Sequence, residues 1–414
     1  MYGKKVVSAY SAWEWVSDGG WVTEAHTSKP KRAGMRVLSV FGTRPEAVKM
    51  APVVLELRRR RGIECIVCVT AQHRQMLDQV TDLFDIQPDI DLDLMRENQS
   101  LAELSERIFR DLEPVLTRIK PDWVLVQGDT TTVAITSLLA YYHKIRVGHV
   151  EAGLRTFDKW QPFPEEINRR VAGVVADLHF APTEWARKNL LREGVPESSI
   201  FVTGNPVIDA LQVVSEQRET RFIKGLMDRL NIETSGKTPS NKTHQRLILV
   251  TAHRRENLGM PLVHICKALK DIASRGDIEI IYPVHLNPQV QETVHNELDG
   301  VNHITLLPPL DYLPLVQAIK RATLVLTDSG GIQEEAPAFG KPVLVLREVT
   351  ERPEGVEAGI LKLVGTDRND IVKEASHLLD DTSAYQSMAK AVNPFGDGHA
   401  AKRIVDGLLN YPIS

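Results

Sequence analysis

Short apolar runs alternate with longer amphipathic stretches from Met35 almost to the end of the chain. Arg36 to Phe41, Ile63 to Thr70, Trp123 to Gln127, Arg146 to Val150 and Leu178 to Ala181 read as strands. Little polar alternation interrupts them, which predicts strands covered on both faces, the habit of parallel sheets. Pro45 to Arg61, Gln72 to Phe84, Leu101 to Ile119, Thr130 to His143, Glu165 to Ala176 and Glu184 to Arg192 read as the intervening helices. A second series follows, with strands Leu247 to Thr251, Ile278 to Pro283, Leu324 to Thr327 and Val343 to Leu346, and a helix Ile332 to Phe339. This alternation predicts an α/β protein with parallel, doubly wound sheets in two similar Rossmann-like halves that face each other.

Turn residues place the boundaries. Thr203-Gly204-Asn205-Pro206 closes the first half, so the expected domains are 35–204 and 205–398. Ile232 to Gln245 is the one low-complexity loop. Asn393-Pro394-Phe395-Gly396-Asp397-Gly398 interrupts the chain before a last helix, Ala400 to Leu409. That segment, 399–414, is expected to cross back onto the first domain. Residues 1–34 lack both periodicity and a signal-peptide core, and are expected to be a loose extension or a start-site artefact.

Composition narrows the function classes. A length of 414 residues suits two domains, and 43% hydrophobic with 25% charged residues is globular. A net charge of −4, without a basic stripe interleaved with aromatics, argues against nucleic acid as a partner. No apolar stretch has membrane-span length, and the expected location is cytoplasmic. Three cysteines exclude a disulfide scaffold. Cys65 and Cys68 form a Cys-x-x-Cys, but inside a strand the two side chains point to opposite faces, unlike a redox pair at a helix start.

The candidate chemistry gathers at strand ends. Gln127-Gly128-Asp129-Thr130 and His149-Val150-Glu151-Ala152-Gly153-Leu154-Arg155 each close a strand and deliver a carboxylate, where open α/β sheets place their ligands. Glu165 and Glu166 open a helix after Pro162-Phe163-Pro164. Carboxylates converging on one crevice predict proton transfer. Gly42-Thr43-Arg44-Pro45-Glu46, with Lys49 one turn on, combines a glycine turn, a helix start and two cations, as an anion site requires. Asp328-Ser329-Gly330-Gly331 offers adjacent backbone amides ahead of a helix, a nest for a diphosphate. Glu335 is placed to accept ribose hydroxyls, and Arg352 follows. His253, in His253-Arg254-Arg255-Glu256-Asn257, is placed to hydrogen-bond or protonate a departing phosphate. No zinc-ligand spacing, dinucleotide fingerprint or P-loop occurs, so neither a metal nor a cofactor is expected.

Five of these segments, beginning at Gly42, Gln127, Val150, His253 and Asp328, together resemble the non-hydrolysing UDP-N-acetylglucosamine 2-epimerases, in order, from Met35 to the C-terminus. The resemblance implies a glycosyltransferase-B-like pair of domains, a homodimer, and interconversion of UDP-GlcNAc and UDP-ManNAc for cell-surface polysaccharide. It implies loss of UDP to give a 2-acetamidoglucal, followed by re-addition. By the same resemblance, Asp129, Glu151 and Glu165 match the acid/base carboxylates and His253 the residue beside the leaving phosphate. Arg44, Lys49, Ser329, Gly330, Gly331, Glu335 and Arg352 match substrate-binding positions. Gln72, Gln75, Arg254 and His285 match a second UDP-GlcNAc site that activates bacterial relatives, although Asn98 stands where an arginine is common. The competing expectations are a hydrolysing relative that releases ManNAc and UDP, a glycosyltransferase of the same fold, and a non-catalytic nucleotide-sugar sensor.

Overall fold

The computed structural model describes residues 34–70, 74–94, 96, 99–232 and 245–411. Residues 1–33, most of the expected extension, and 233–244 of the low-complexity loop lie outside them. The first sheet contains β1 (Met35–Phe41), β2 (Ile63–Val69), β3 (Ile90–Asp91), β4 (Trp123–Gln127), β5 (Arg146–Val150), β6 (Leu178–Ala181) and β7 (Ile200–Val202). All are parallel, in the order β3-β2-β1-β4-β5-β6-β7. The second contains β8 (Arg246–Thr251), β9 (Ile278–Pro283), β10 (Ile304–Leu307), β11 (Leu324–Thr327), β12 (Val343–Val345) and β13 (Leu361–Leu363). These too are parallel, in the order β10-β9-β8-β11-β12-β13. The α/β class and the two doubly wound sheets are as the pattern predicts.

Alternation along the strands builds a core on both faces of the first sheet. Leu38, Val40, Val124 and Val126 pack with Leu104, Ile108 and Leu112 on one side. Val37, Phe41, Trp123 and Leu125 pack with Val53, Val54 and Leu57 on the other. Burial of each such side chain stabilises the fold by roughly 1.5–3 kcal/mol before entropy is counted. Four strands were not anticipated: β3, β7, β10 and β13. Every one of them is an edge strand. Covered less completely and kept short, edge strands carry no long apolar run for a sequence pattern to register.

The last helix, Ala400–Asn410, returns to the first lobe as expected. Arg60 NH2 donates to Asp406 Oδ1 at 2.7 Å. Two small residues permit the approach: a Cβ on Gly148 would stand 2.6 Å from Leu125, and one on Gly407 would stand 2.9 Å from the Phe180 ring. In both sheets the strand order reverses beside the first strand, between β1 and β4 and between β8 and β11. Residues leaving the carboxyl ends of these four strands form the crevice between the lobes.

The cysteine expectation holds. Cys65 and Cys68 lie within β2, and burial pushes their thiols up to about 11 and about 12. Among the described residues no helix is long and apolar enough to cross a membrane.

Candidate active site between the two lobes

Register sets the first two carboxylates side by side. Gln127 on β4 pairs with Val150 on β5, so Asp129 and Glu151 leave adjacent strand ends. Gly128, at φ +81°, turns the chain; its N–H donates to the Val150 carbonyl at 3.0 Å and its carbonyl faces His149 Nε2 at 2.7 Å. Burial drives the His149 imidazole down to about 3, so it is neutral, with Nε2–H as donor. Glu151 itself has φ +62°, a left-handed backbone that costs a non-glycine residue on the order of 1 kcal/mol and is held by its contacts.

Those contacts are dense. Glu151 Oε1 accepts from Lys49 Nζ at 2.5 Å and from Asn205 Nδ2 at 2.8 Å, while Gln127 Nε2 donates to Oε2. Burial alone would raise the Glu151 carboxyl. The Lys49 charge and hydrogen bond, then Arg352 and Asn205, bring it below the ordinary range instead. Glu165 is in the opposite condition. It opens the helix Glu165–Val175, and its half-buried carboxyl is raised by desolvation and by the Asp129 charge. Its Oε2 has no hydrogen-bond partner. Asp129 accepts from Arg169 NH2, whose NH1 also donates to Glu166 Oε2 at 3.3 Å. The crevice therefore holds one carboxyl lowered by Lys49 and Arg352 and another raised by desolvation and by Asp129.

The structure corrects the reading of the first turn. The N–H groups of Gly42 and Thr43 both donate to Glu46 Oε2, at 2.8 and 2.7 Å, within a capping box on Thr43. Those two amides are therefore not available to an external anion. Its cations stand at the crevice, with Arg44 reaching the Leu310 carbonyl across it at 3.5 Å and Lys49 on Glu151. The threonine and glutamate spaced as a capping box were the signal that could have shown this.

In the facing nest the Ser329 N–H already donates to Thr327 Oγ1 at 2.9 Å, which leaves the two glycine amides for a ligand. The helix there runs Gly330–Ala338, two residues earlier than expected, so both glycines lie inside it. Its N-cap Ser329 makes no side-chain cap bond. Arg352 lies over Gly330, its NH1 2.8 Å from where a Cβ would be. Nε of Arg352 donates to Glu334 Oε1 at 2.8 Å and NH1 to Glu351 Oε2 at 2.9 Å. Burial, then the Glu334 charge, push the Glu335 carboxyl up to about 7. Tyr312 Oη donates to it at 3.4 Å.

Asp328 organises the remaining corner. Its Oδ2 accepts from the His253 and Arg254 amides at 2.7 and 2.8 Å and from Asn257 Nδ2 at 3.0 Å. His253 Nδ1 stands 3.5 Å from Asp328 Oδ1, and its ring stacks on His285 with centroids 4.9 Å apart. Burial lowers the His253 imidazole against the pull of Asp328, which favours the neutral ring. Arg254 sends its field onto Glu165. Gln72 and the side chain of Gln75 lie outside the described residues. Among the described residues no group of acidic, histidine and cysteine side chains could hold a metal.

Among the described residues, Arg169, Asn205 and Glu334 stand beside the expected side chains although the sequence pattern gave them no role, and Glu46, Gln127 and Asp328, quoted there only as parts of motifs, prove to organise their neighbours. Spacing could have found Arg169, one helical turn beyond Glu165. Asn205 and Glu334 needed the fold.

The chain is similar to known proteins over most of its length. The family model described as UDP-N-acetylglucosamine 2-epimerase matches residues 55–409. The chain is 54% identical over 381 residues to the UDP-N-acetylglucosamine 2-epimerase of Escherichia coli K12, covering 92% of this chain and 100% of that protein. It is 53% identical over 381 residues to the enzyme of that name from Salmonella typhimurium, with the same coverage. Among solved structures, the UDP-GlcNAc 2-epimerase of Neisseria meningitidis bound to UDP-GlcNAc superposes with a TM-score of 0.82 at 48% identity, over 91% of this chain and 100% of that one.

Proposed function

The chain belongs to the UDP-N-acetylglucosamine 2-epimerase family, and from that premise we propose that it interconverts UDP-GlcNAc and UDP-ManNAc without hydrolysis. The observation that carries the reading is the contrast across the crevice between Glu151, whose carboxyl is held in hydrogen bonds by Lys49, Asn205 and Gln127 and lies below the ordinary range, and Glu165, whose carboxyl is raised and whose Oε2 has no hydrogen-bond partner. Two carboxyl groups driven apart in this way suit a base and an acid.

With UDP-GlcNAc in place, the diphosphate sits on the Ser329-Gly330-Gly331 nest beneath Arg352. Lys49 spends one of its three hydrogens on Glu151 and has others for phosphate. Glu335 takes the ribose hydroxyls. Glu151 removes the proton at C2 as the C1–O bond breaks. The C1=C2 double bond forms, and UDP leaves with the electron pair. Neutral His253 donates a hydrogen bond to the leaving phosphate. Glu165, with Asp129 beside it, returns a proton to C2 on the opposite face while a UDP oxygen re-forms the bond to C1. In the reverse direction the two carboxyls exchange roles. Exclusion of water from the glucal in the occupied crevice is what would separate epimerisation from release of free sugar.

The homodimer, the supply of ManNAc for surface polysaccharide and the cytoplasmic location belong to the same proposal. Exposed Tyr141, Tyr142 and Val174 on the first lobe suit self-association. Arg254 and His285, with Gln72 and Gln75, are the proposed activator contacts. The test is incubation with UDP-GlcNAc alone and NMR of the products. A mixture of two epimers still joined to UDP is expected. Free ManNAc with UDP would favour the hydrolysing alternative, and no turnover would favour a transferase or a sensor.

A further inference from the structure

One buried amide joins the two lobes at the site. Asn205, the N-cap of the helix Pro206–Ser215, accepts from the Val207 N–H through Oδ1 at 3.1 Å. That bond orients the side chain and turns Nδ2 toward two acids at once: Glu151 Oε1 of the first lobe at 2.8 Å and Glu334 Oε2 of the second at 2.6 Å. Asn205, Glu151 and Glu334 are all buried. The mechanism above uses Glu151 and leaves Glu334 without a task.

Charge balance supplies one. Around this amide the cations Lys49 and Arg352 are already committed, to Glu151 and to Glu334 with Glu351 respectively. The groups that face Glu334 are Arg352, Lys49, Glu151, Glu335 and Glu354, so carboxylates outnumber cations before any ligand arrives. A diphosphate on the nest adds further negative charge under Arg352 and draws on the guanidinium that holds Glu334. In a site without solvent screening, uncompensated like charge is costly, and a proton is the cheapest compensation.

Resting on the nucleotide-binding reading above, we propose that Glu334 takes up a proton when the diphosphate binds, and that Asn205 is the positioning residue through which this keeps Glu151 charged as the base. The proton comes from solvent and forms an O–H bond on Glu334; no other bond changes. Neutral Glu334 no longer repels Glu151, and Asn205 and Lys49 go on holding Glu151 ionised. Burial has already raised the Glu334 carboxyl, while Glu151 is held low, so the added proton goes to Glu334. Nucleotide occupancy in one lobe thereby sets the protonation of a pair whose catalytic member lies in the other.

Calorimetric titration of the full chain with UDP, in buffers of different ionisation enthalpy near neutral pH, counts the protons exchanged. The wild type should take up more protons per UDP than Glu334→Gln, by up to one, with both variants binding UDP. Asn205→Ala should still bind UDP within a fewfold, but with the pH of half-maximal uptake displaced upward and the acidic limb of the pH–kcat profile displaced with it. A merely structural amide would lower the melting temperature and move neither. UDP binding with equal proton uptake in wild type and Glu334→Gln overturns the inference while leaving the nucleotide site standing. Absence of UDP binding by the wild type overturns both.

Discussion

Replacing Glu335 by glutamine should stabilise the protein at neutral and basic pH while removing the carboxyl proposed for the ribose hydroxyls. The carboxyl is buried at the first turns of the helix Gly330–Ala338, raised from 4.5 to about 7 by desolvation and by the neighbouring Glu334 charge, against the pull of Lys49 and Arg44. Its native form binds the proton more tightly than its unfolded form. Its contribution to stability is therefore fully present below pH 4.5, declines as pH rises through the window, and is gone above about 7. A shift of that size corresponds to about 3 kcal/mol, an upper figure because the site relaxes. Glutamine keeps the acceptor for Tyr312 and never ionises. Urea denaturation of wild type and Glu335→Gln from pH 5 to 8.5 should show the variant gaining relative stability with pH, levelling off near the full value. A stability difference that is flat across the range, or a variant less stable at pH 8, would refute the burial argument.

Asp129→Asn or Glu165→Gln should each lower the epimerisation rate by a factor of roughly 10²–10⁴, the usual contribution of a positioned acid or base, with UDP affinity by calorimetry little changed. Arg352→Ala should weaken UDP binding by roughly 1–3 kcal/mol, since it removes a charge-assisted contact and strands Glu334; unchanged affinity would take it out of the site. Cys65 and Cys68 should resist iodoacetamide in the native protein at pH 8, because their buried thiols stay protonated, and rapid alkylation would contradict the packing. Gly153→Ala should lower the melting temperature, because its φ is +91° and a Cβ would stand 2.3 Å from the Ala186 carbonyl; an unchanged value would deny that contact.

The legible part of this molecule is the part buried on both sides. Runs such as Trp123 to Gln127 leave no doubt of a central strand, and their carboxyl ends lead straight to Asp129, Glu151 and Asp328. Edge strands such as Ile90–Asp91 and Leu361–Leu363 are too short to declare themselves. Within the site, chemistry that runs along one segment was readable, whereas chemistry shared between segments was not. Asn205 looks like the turn residue before Pro206, and only the fold shows its amide bridging acids 54 and 129 residues away. Glu334 and Glu335 are adjacent in sequence, yet a helix turns one toward Arg352 and Asn205 and the other toward Tyr312. At the Gly42 turn, too, a contact within the fold decides the chemistry: its own Glu46 reaches back and takes the Gly42 and Thr43 amides.

If carboxylates in this crevice break and remake the C2–H bond of a UDP-linked sugar, turnover of UDP-GlcNAc in D2O, followed by NMR, will reveal it. Elimination and re-addition through Glu151 and Glu165 predict deuterium at C2 of the UDP-linked product, because each carboxyl exchanges with solvent before it delivers its proton. Epimerised product that retains hydrogen at C2 would contradict the account.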